Sequence, residues 1–336
     1  MADGFEELRS AYLSWRSLAE RGLEEGGRAA RDSPPGYTSV SAIVACGVGG
    51  SGIVGDYLAK LSEQYGGVPV YTVRGTEPPI FASRDTLVLG VSFSGETLET
   101  IRCVRQAQRR GAKVAVVAGP GRLSKLAGEE GWPAARVEKG PAARSMFASL
   151  FYTALGFLTS LGLIHTPSSA IRESLEALEG SSAEDEAVRI AEALRGTRLV
   201  LVAAGWELAP VALRVQQELA ENAKKASLAL YSPESLHNMI EGIRSLEGME
   251  QVAALLIDWD GYTAGSLYEY LSAHVSKTAS RSASIRVRGG LLAAMLRATL
   301  VAGLASIHLA RLEDIDPASI PRIKDARRLA EESIRV

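Results

Sequence analysis

Two short loops carry the residues best suited to chemistry. The first, Gly47-Val48-Gly49-Gly50-Ser51-Gly52, follows the apolar run SAIVAC and precedes a helical stretch. Gly47, Gly49 and Gly52 satisfy the G-x-G-x-x-G spacing, in which a tight turn and a helix N-terminus present backbone N–H groups to a pyrophosphate. A dinucleotide site also wants an acid about 20 residues on for the ribose. The next apolar run ends Tyr71-Thr72-Val73-Arg74, without one, although Arg74 could meet a 2′-phosphate. The second loop, Ser92-Phe93-Ser94-Gly95-Glu96-Thr97, closes the run TLVLGV and opens the helix LETIRCVRQAQ. Three hydroxyls there suit a phosphate monoester, whose oxygens accept several hydrogen bonds and favour the positive helix end. A lone Ser or Thr in that place is more often a plain helix cap. Two such loops on adjacent strands weigh against capping alone, and the second weighs against the dinucleotide.

The elements that hold these loops read as a strand–turn–helix repeat. After SAIVAC come VPVYTV, TLVLGVS and KVAVVAG, spaced for crossover helices, so the first half predicts a parallel α/β sheet. TRLVLVAAG followed by WELAPVALRVQQELAENAKKA restarts the pattern, with VAALLIDW and SASIRVRG as later strands. The predicted organisation is a duplication of doubly wound, flavodoxin-like α/β units. A helical appendage over 1–37 is built on Phe5, Leu8, Tyr12, Trp15 and Leu18. A first domain spans 38–166, a helical connector with a flexible middle 167–195, and a second domain with a C-terminal helix 196–336.

Composition narrows the partners. The 336 residues are 46% hydrophobic and 23% charged, as in a folded globular chain. Thirty-seven basic against thirty-nine acidic residues leave net −2, without the basic field of a nucleic-acid binder. Cys46 and Cys103 are the only cysteines, too few for a disulfide framework or a cysteine zinc site, which predicts a reducing compartment. The start MADGFEELRS is acidic where a signal peptide is basic and apolar, so a cytoplasmic protein is expected. Phe147–Ile164 runs uncharged at membrane-span length, but its Gly, Ser and Thr residues predict a buried helix, in the core or in a subunit interface. No membrane partner is expected.

GVGGSG and SFSGET, each closing a parallel strand, resemble the sugar isomerase (SIS) domain, which binds phosphosugars at its hydroxyl-rich loop. Glu221 in ELAENAKK and His237 in SPESLHNMIEG extend the resemblance, over about residues 40–330, to the bifunctional phosphoglucose/phosphomannose isomerases. What it implies is a metal-independent and cofactor-free isomerase of glucose 6-phosphate and mannose 6-phosphate with fructose 6-phosphate, in glycolysis and gluconeogenesis. Ser51, Ser92, Ser94 and Thr97 would hold the phosphate, with the backbone of Gly49 and Gly50 near the sugar. Arg144, in GPAARSMF, would face the reacting carbons, although the family's preceding Pro is Ala143 here. Glu221 would move the proton. His237 would open the sugar ring, reaching in from the neighbouring subunit of a homodimer. Lys324 would assist, with Arg327 fitting a register shifted by one turn.

Each residue also has an ordinary reading. Glu221 with Lys225 makes an i,i+4 pair of the kind found on solvated helix faces. His237 sits in a first turn after Ser232-Pro233-Glu234, where surface histidines are common. His165, His237, His274 and His308 lack zinc-motif spacing, so no metal is expected. The alternative function is a non-catalytic SIS-type sugar-phosphate sensor, but residues 1–37 are too short for a DNA-reading domain. An amino-sugar synthase would need an amidotransferase domain.

Overall fold

Runs such as AIVAC and TLVLGVS are apolar on both faces, as strands covered by helices on either side must be. The computed structural model, which describes residues 2–334, forms them as parallel strands. In chain order the first half contains α1 (Ala2–Leu13), α2 (Trp15–Arg31), β1 (Ala42–Cys46), α3 (Ile53–Tyr65), β2 (Val70–Val73), β3 (Thr86–Ser92), α4 (Leu98–Arg109), β4 (Lys113–Ala118), α5 (Arg122–Glu130), β5 (Ala134–Arg136) and α6 (Phe147–Ser160). The second contains α7 (Ser168–Ala177), α8 (Gly180–Leu194), β6 (Leu199–Gly205), α9 (Ala209–Asn222), β7 (Ala226–Ser232), α10 (Met239–Gly242), β8 (Val252–Trp259), α11 (Gly265–Thr278), β9 (Arg281–Val287), α12 (Leu291–Leu312) and α13 (Pro321–Ser333).

The chain divides into two units, one of Trp15–Ser168 with the segment from Ile320, the other of Ser169–Ser319 with the segment to Ser14. In the first, five parallel strands take the order β2-β1-β3-β4-β5. Winding reverses between β1 and β3, whose registers place Cys46 beside Gly90. This is the flavodoxin-like order, with its ligand crevice at the reversal. Helix α6 is buried from Phe147 through Leu158, and α2 covers it closely enough that a Cβ on Gly156 would meet the Leu23 carbonyl oxygen at 2.6 Å. The apolar segment is therefore a core helix of its own unit, so its composition no longer argues for a subunit interface. Cys46 and Cys103, whose small number predicts a reducing compartment, are instead joined to each other as a disulfide between β1 and α4.

The second unit is a parallel sheet in the order β7-β6-β8-β9, reversing between β6 and β8. Its core helix α12 is, among the described residues, the one helix long and apolar enough to cross a membrane, and 89% of its most apolar 18-residue window is buried.

Several boundaries differ from the sequence reading. The expected 1–37 appendage is two helices broken at Ser14, and both are integral. Tyr12 of α1 is fully buried in the four-stranded unit and Trp15 of α2 in the five-stranded one. The expected connector 167–195 is also core, because Ala183, Ala187, Ile190 and Leu194 of α8 are buried. Its predicted flexible middle is a helix cap: the Glu179 carboxylate accepts from Ser181 N–H at 3.1 Å and Ser182 N–H at 3.0 Å. Those bonds, led by the Ser182 N–H, hold its pKa down at about 2. Helix α13, expected in the second domain, groups with the first unit and buries none of its residues. The connection from β2 to β3, predicted to hold a helix, is irregular. Strands β5 and β7 were not anticipated.

Candidate functional site

The two loops lie side by side at the carboxyl ends of β1 and β3, at the winding reversal. The glycine loop turns so tightly that a Cβ on Gly52 would sit 2.7 Å from the Gly47 carbonyl oxygen. Gly49 takes φ +56, and a Cβ there would meet nothing within 4 Å, so its backbone faces open space. Gly50 and Ser51 are buried beside it.

In the hydroxyl loop, Ser92 is fully buried and its Oγ lies 2.9 Å from Thr97 Oγ1. The same Oγ accepts from Gly95 N–H at 3.1 Å, and Ser94 Oγ accepts from Glu96 N–H at 3.1 Å. Ser51 joins the loops by accepting from Phe93 N–H at 3.2 Å. These residues are thus brought together as one cradle. Thr97 stands at the N-cap of α4 but its side chain makes no capping bond, and the N-cap of α3 is Gly52, which has no side chain to cap with. The capping reading therefore does not account for the hydroxyls. Two positive helix ends and the Ser51, Ser92, Ser94 and Thr97 hydroxyls suit a phosphate dianion. Glu96 faces away into an ion pair. Its carboxylate accepts from Arg122 N–H at 2.9 Å and Nε at 2.6 Å. Burial works to raise this carboxyl, but the Arg122 bonds prevail and hold it below the usual range.

Arg144 is 4% exposed, in the turn before α6. That turn is fixed by Ser145 Oγ donating to Ala142 O at 3.1 Å and by Trp15 Nε1 donating to Ser145 O at 2.7 Å. Lys324 and Arg327 are both exposed on α13.

Glu221 is half-buried in the last turn of α9, and the expected Lys225 pair does not form. Lys225 Nζ instead meets Glu313 Oε2 at 2.7 Å and donates to Thr197 O. His237 is exposed at the end of the short 3₁₀ turn Glu234–His237, past the carboxyl end of β7. Helix α9 runs back along the sheet from the carboxyl end of β6 to the amino end of β7. Its 14 residues span about 21 Å. Glu221 and His237 of one chain therefore lie at opposite ends of the strands, at the amino and carboxyl ends of β7, and are not brought together.

Among the described residues, the four-stranded unit holds no serine or threonine in the turn that follows β6, Trp206–Leu208. At its own winding reversal a Cβ on Gly205 would collide with the Tyr262 ring, which is anchored by Tyr262 OH donating to Ile257 O at 2.7 Å. Tyr262 escaped the sequence reading, as did the buried partners of α9. The spacing Arg214, Glu218, Asn222 was the available signal, since polar residues four apart on a helix share one face. Among the described residues no three His, Cys, Asp or Glu are grouped to hold a metal.

Residues 37–127 match the SIS domain family and residues 183–329 the bacterial phosphoglucose isomerase C-terminal SIS domain family. Fold and loops thus define the class: a two-unit α/β protein of SIS type. The chain is 29% identical to a bifunctional phosphoglucose/phosphomannose isomerase of Aeropyrum pernix, with 98% of this chain and 99% of that one covered. With the enzyme of the same name from Aquifex aeolicus it shares 30% identity over 66% of this chain and 68% of that one. A D-glucosamine-6-phosphate 4-epimerase of Sulfolobus acidocaldarius is 27% identical, over 95% and 97%. The chain belongs to the bifunctional phosphoglucose/phosphomannose isomerase family and is a sugar-phosphate isomerase.

Proposed function

We propose that this chain is a cytoplasmic enzyme of glycolysis and gluconeogenesis. It interconverts glucose 6-phosphate and mannose 6-phosphate with fructose 6-phosphate, without a metal. The observation that carries the reading is the pair of adjacent helix N-termini whose N-cap residues make no side-chain cap, with the buried Ser92 hydroxyl bonding the half-buried Thr97 hydroxyl beside them. Ser51, Ser92, Ser94 and Thr97 take the phosphate. His237, with Lys324 assisting, opens the ring by protonating the ring oxygen as the anomeric hydroxyl loses its proton. Glu221 then removes the proton from C2 of the aldose. The C–H electron pair forms the C1–C2 double bond of a cis-enediolate, and negative charge passes to the carbonyl oxygen. Arg144, permanently cationic, meets that charge. Protonated Glu221 returns the proton to C1 while the O2 hydroxyl passes its proton to O1, and the carbonyl re-forms at C2. Glucose and mannose phosphates differ only at C2 and give one enediolate, so rotation about C2–C3 admits both.

The separation of Glu221 from His237 within one chain supports a homodimer whose sites draw the two from different copies. Mixing His237→Ala and Glu221→Gln chains under subunit exchange then restores activity, and no recovery despite exchange overturns the sharing. Supplying fructose 6-phosphate and measuring glucose and mannose 6-phosphates separately tests the activity. Both products are expected. Epimerisation of glucosamine 6-phosphate with neither product formed would replace this reading with that of the Sulfolobus relative.

A further inference from the structure

A general base works only if its carboxylate stays within a fraction of an ångström of the carbon it serves. Glu221 sits where a helix holds its backbone least, since carbonyls of a last turn lack intrahelical donors. This turn is braced from two sides. On the inner side Arg214, Glu218 and Asn222 form a stripe at most 1% exposed. Glu218 Oε1 accepts from Arg214 Nη2 at 2.6 Å, and Glu218 Oε2 accepts from Tyr12 OH at 2.6 Å and Asn222 Nδ2 at 3.0 Å. Asn222 Nδ2 also donates to Ser306 Oγ of α12 at 2.8 Å. The residue directly after Glu221 is thereby tied to α1 and α12. On the outer side Lys224 takes the left-handed φ of +54, unusual for a lysine. Its Nζ donates to Glu221 O at 2.7 Å and to Asp316 O at 3.0 Å. An ammonium thus replaces the donor that the Glu221 carbonyl lacks and staples it to the chain beyond α12.

We propose that Asn222 and Lys224 are positioning residues of the isomerase, fixing the backbone on either side of Glu221 so that its carboxylate is held in register with the substrate carbons. The proposal rests on the assignment of Glu221 as the base. Lys224 is the sharper probe, because it is exposed and its replacement leaves the core intact.

Lys224→Met should lower kcat for fructose 6-phosphate about 10- to 100-fold, the effect of roughly an ångström of misplacement. KM should stay within about twofold, because the phosphate cradle is untouched, and the melting temperature should change little. Lys224→Arg, which can still donate to both carbonyls, should recover most of the loss. Asn222→Ala should show the same kcat loss at temperatures where circular dichroism finds it folded. In a Glu221→Gln background Lys224→Met should cause no further loss, because it acts through Glu221. Wild-type kcat in Lys224→Met, a loss that Arg does not recover, or a further loss on top of Glu221→Gln would overturn the positioning role. Glu221→Gln measured alone separates the two failures. If it retains wild-type kcat, the base assignment falls and the positioning role with it. If it is inactive while Lys224→Met is not impaired, only the positioning role falls.

Discussion

Ser92→Ala and Ser94→Ala should part company in stability while agreeing in binding. Both hydroxyls are assigned to the phosphate, and losing one hydrogen bond to a charged group costs about 1.5–3 kcal/mol, roughly ten- to a hundredfold in affinity. Ser92 is fully buried, and its Oγ also serves Thr97 Oγ1 at 2.9 Å and Gly95 N–H at 3.1 Å. Gly95 N–H keeps a second acceptor, Ser92 O at 3.2 Å. One intraloop bond is therefore lost outright, which destabilises the fold by about 0.5–1.5 kcal/mol. Ser94 is exposed and bonds only Glu96 N–H within the loop, so its removal should leave stability within about 0.5 kcal/mol. The assay is KM for fructose 6-phosphate, the inhibition constant of inorganic phosphate, and thermal melting. Both variants should raise KM and the phosphate constant together, with kcat nearly constant, and only Ser92→Ala should melt earlier. Unchanged constants in the Ser92, Ser94 and Thr97 triple alanine variant would refute the cradle. Stabilisation by NADP would favour the dinucleotide reading of the glycine loop instead.

Gly95→Ala should damage the same loop more severely, since φ is +68 and a Cβ would lie 2.6 Å from Gly119 O. Left-handed strain and the forced shift together amount to about 2–4 kcal/mol, read by denaturant unfolding alongside a KM rise larger than that of Ser94→Ala. Glu218→Leu leaves the fully buried Arg214 guanidinium without its carboxylate and should destabilise by about 3–5 kcal/mol, whereas Arg214→Met/Glu218→Leu should regain most of that in the same assay. Burial holds His308 below 6.5 despite its Glu184 partner. Its folded pKa thus lies under the unfolded one, and stability should fall as pH drops from 6.5 through the folded value. The His308→Leu variant should flatten the melting temperature across that window.

The fold was legible where the hydrophobic pattern was strong. SAIVAC, TLVLGVS and TRLVLVAAG became central strands because parallel strands must be apolar on both faces. The edge strands β5 and β7 are short or only partly buried and gave no comparable run. The N-terminal helix was misread because its apolar stripe is continuous through Tyr12 and Trp15, while the break at Ser14 assigns the two residues to different units. In the site, loop chemistry was readable because glycine and hydroxyl positions are local. Whether a hydroxyl caps its own helix depends on three-dimensional direction, and Thr97 bonds Ser92 Oγ while making no cap of its own helix. Lys225 likewise had two acids to choose from, and its pairing with Glu313 depends on a residue 88 positions away (313 − 225).

The central claim is that one carboxylate, Glu221, carries the proton between C1 and C2. Solvent exchange at C2 tests it most directly: fructose 6-phosphate is turned over in deuterated water and the label at C2 of the glucose and mannose products is followed by magnetic resonance. The wild-type enzyme should place deuterium at C2 of both products. Glu221→Gln should lose exchange and isomerisation together, by the 10²–10⁴-fold typical of a missing acid–base group, for both epimers alike and with KM nearly unchanged. Exchange and isomerisation at the wild-type rate in that variant would contradict the assignment.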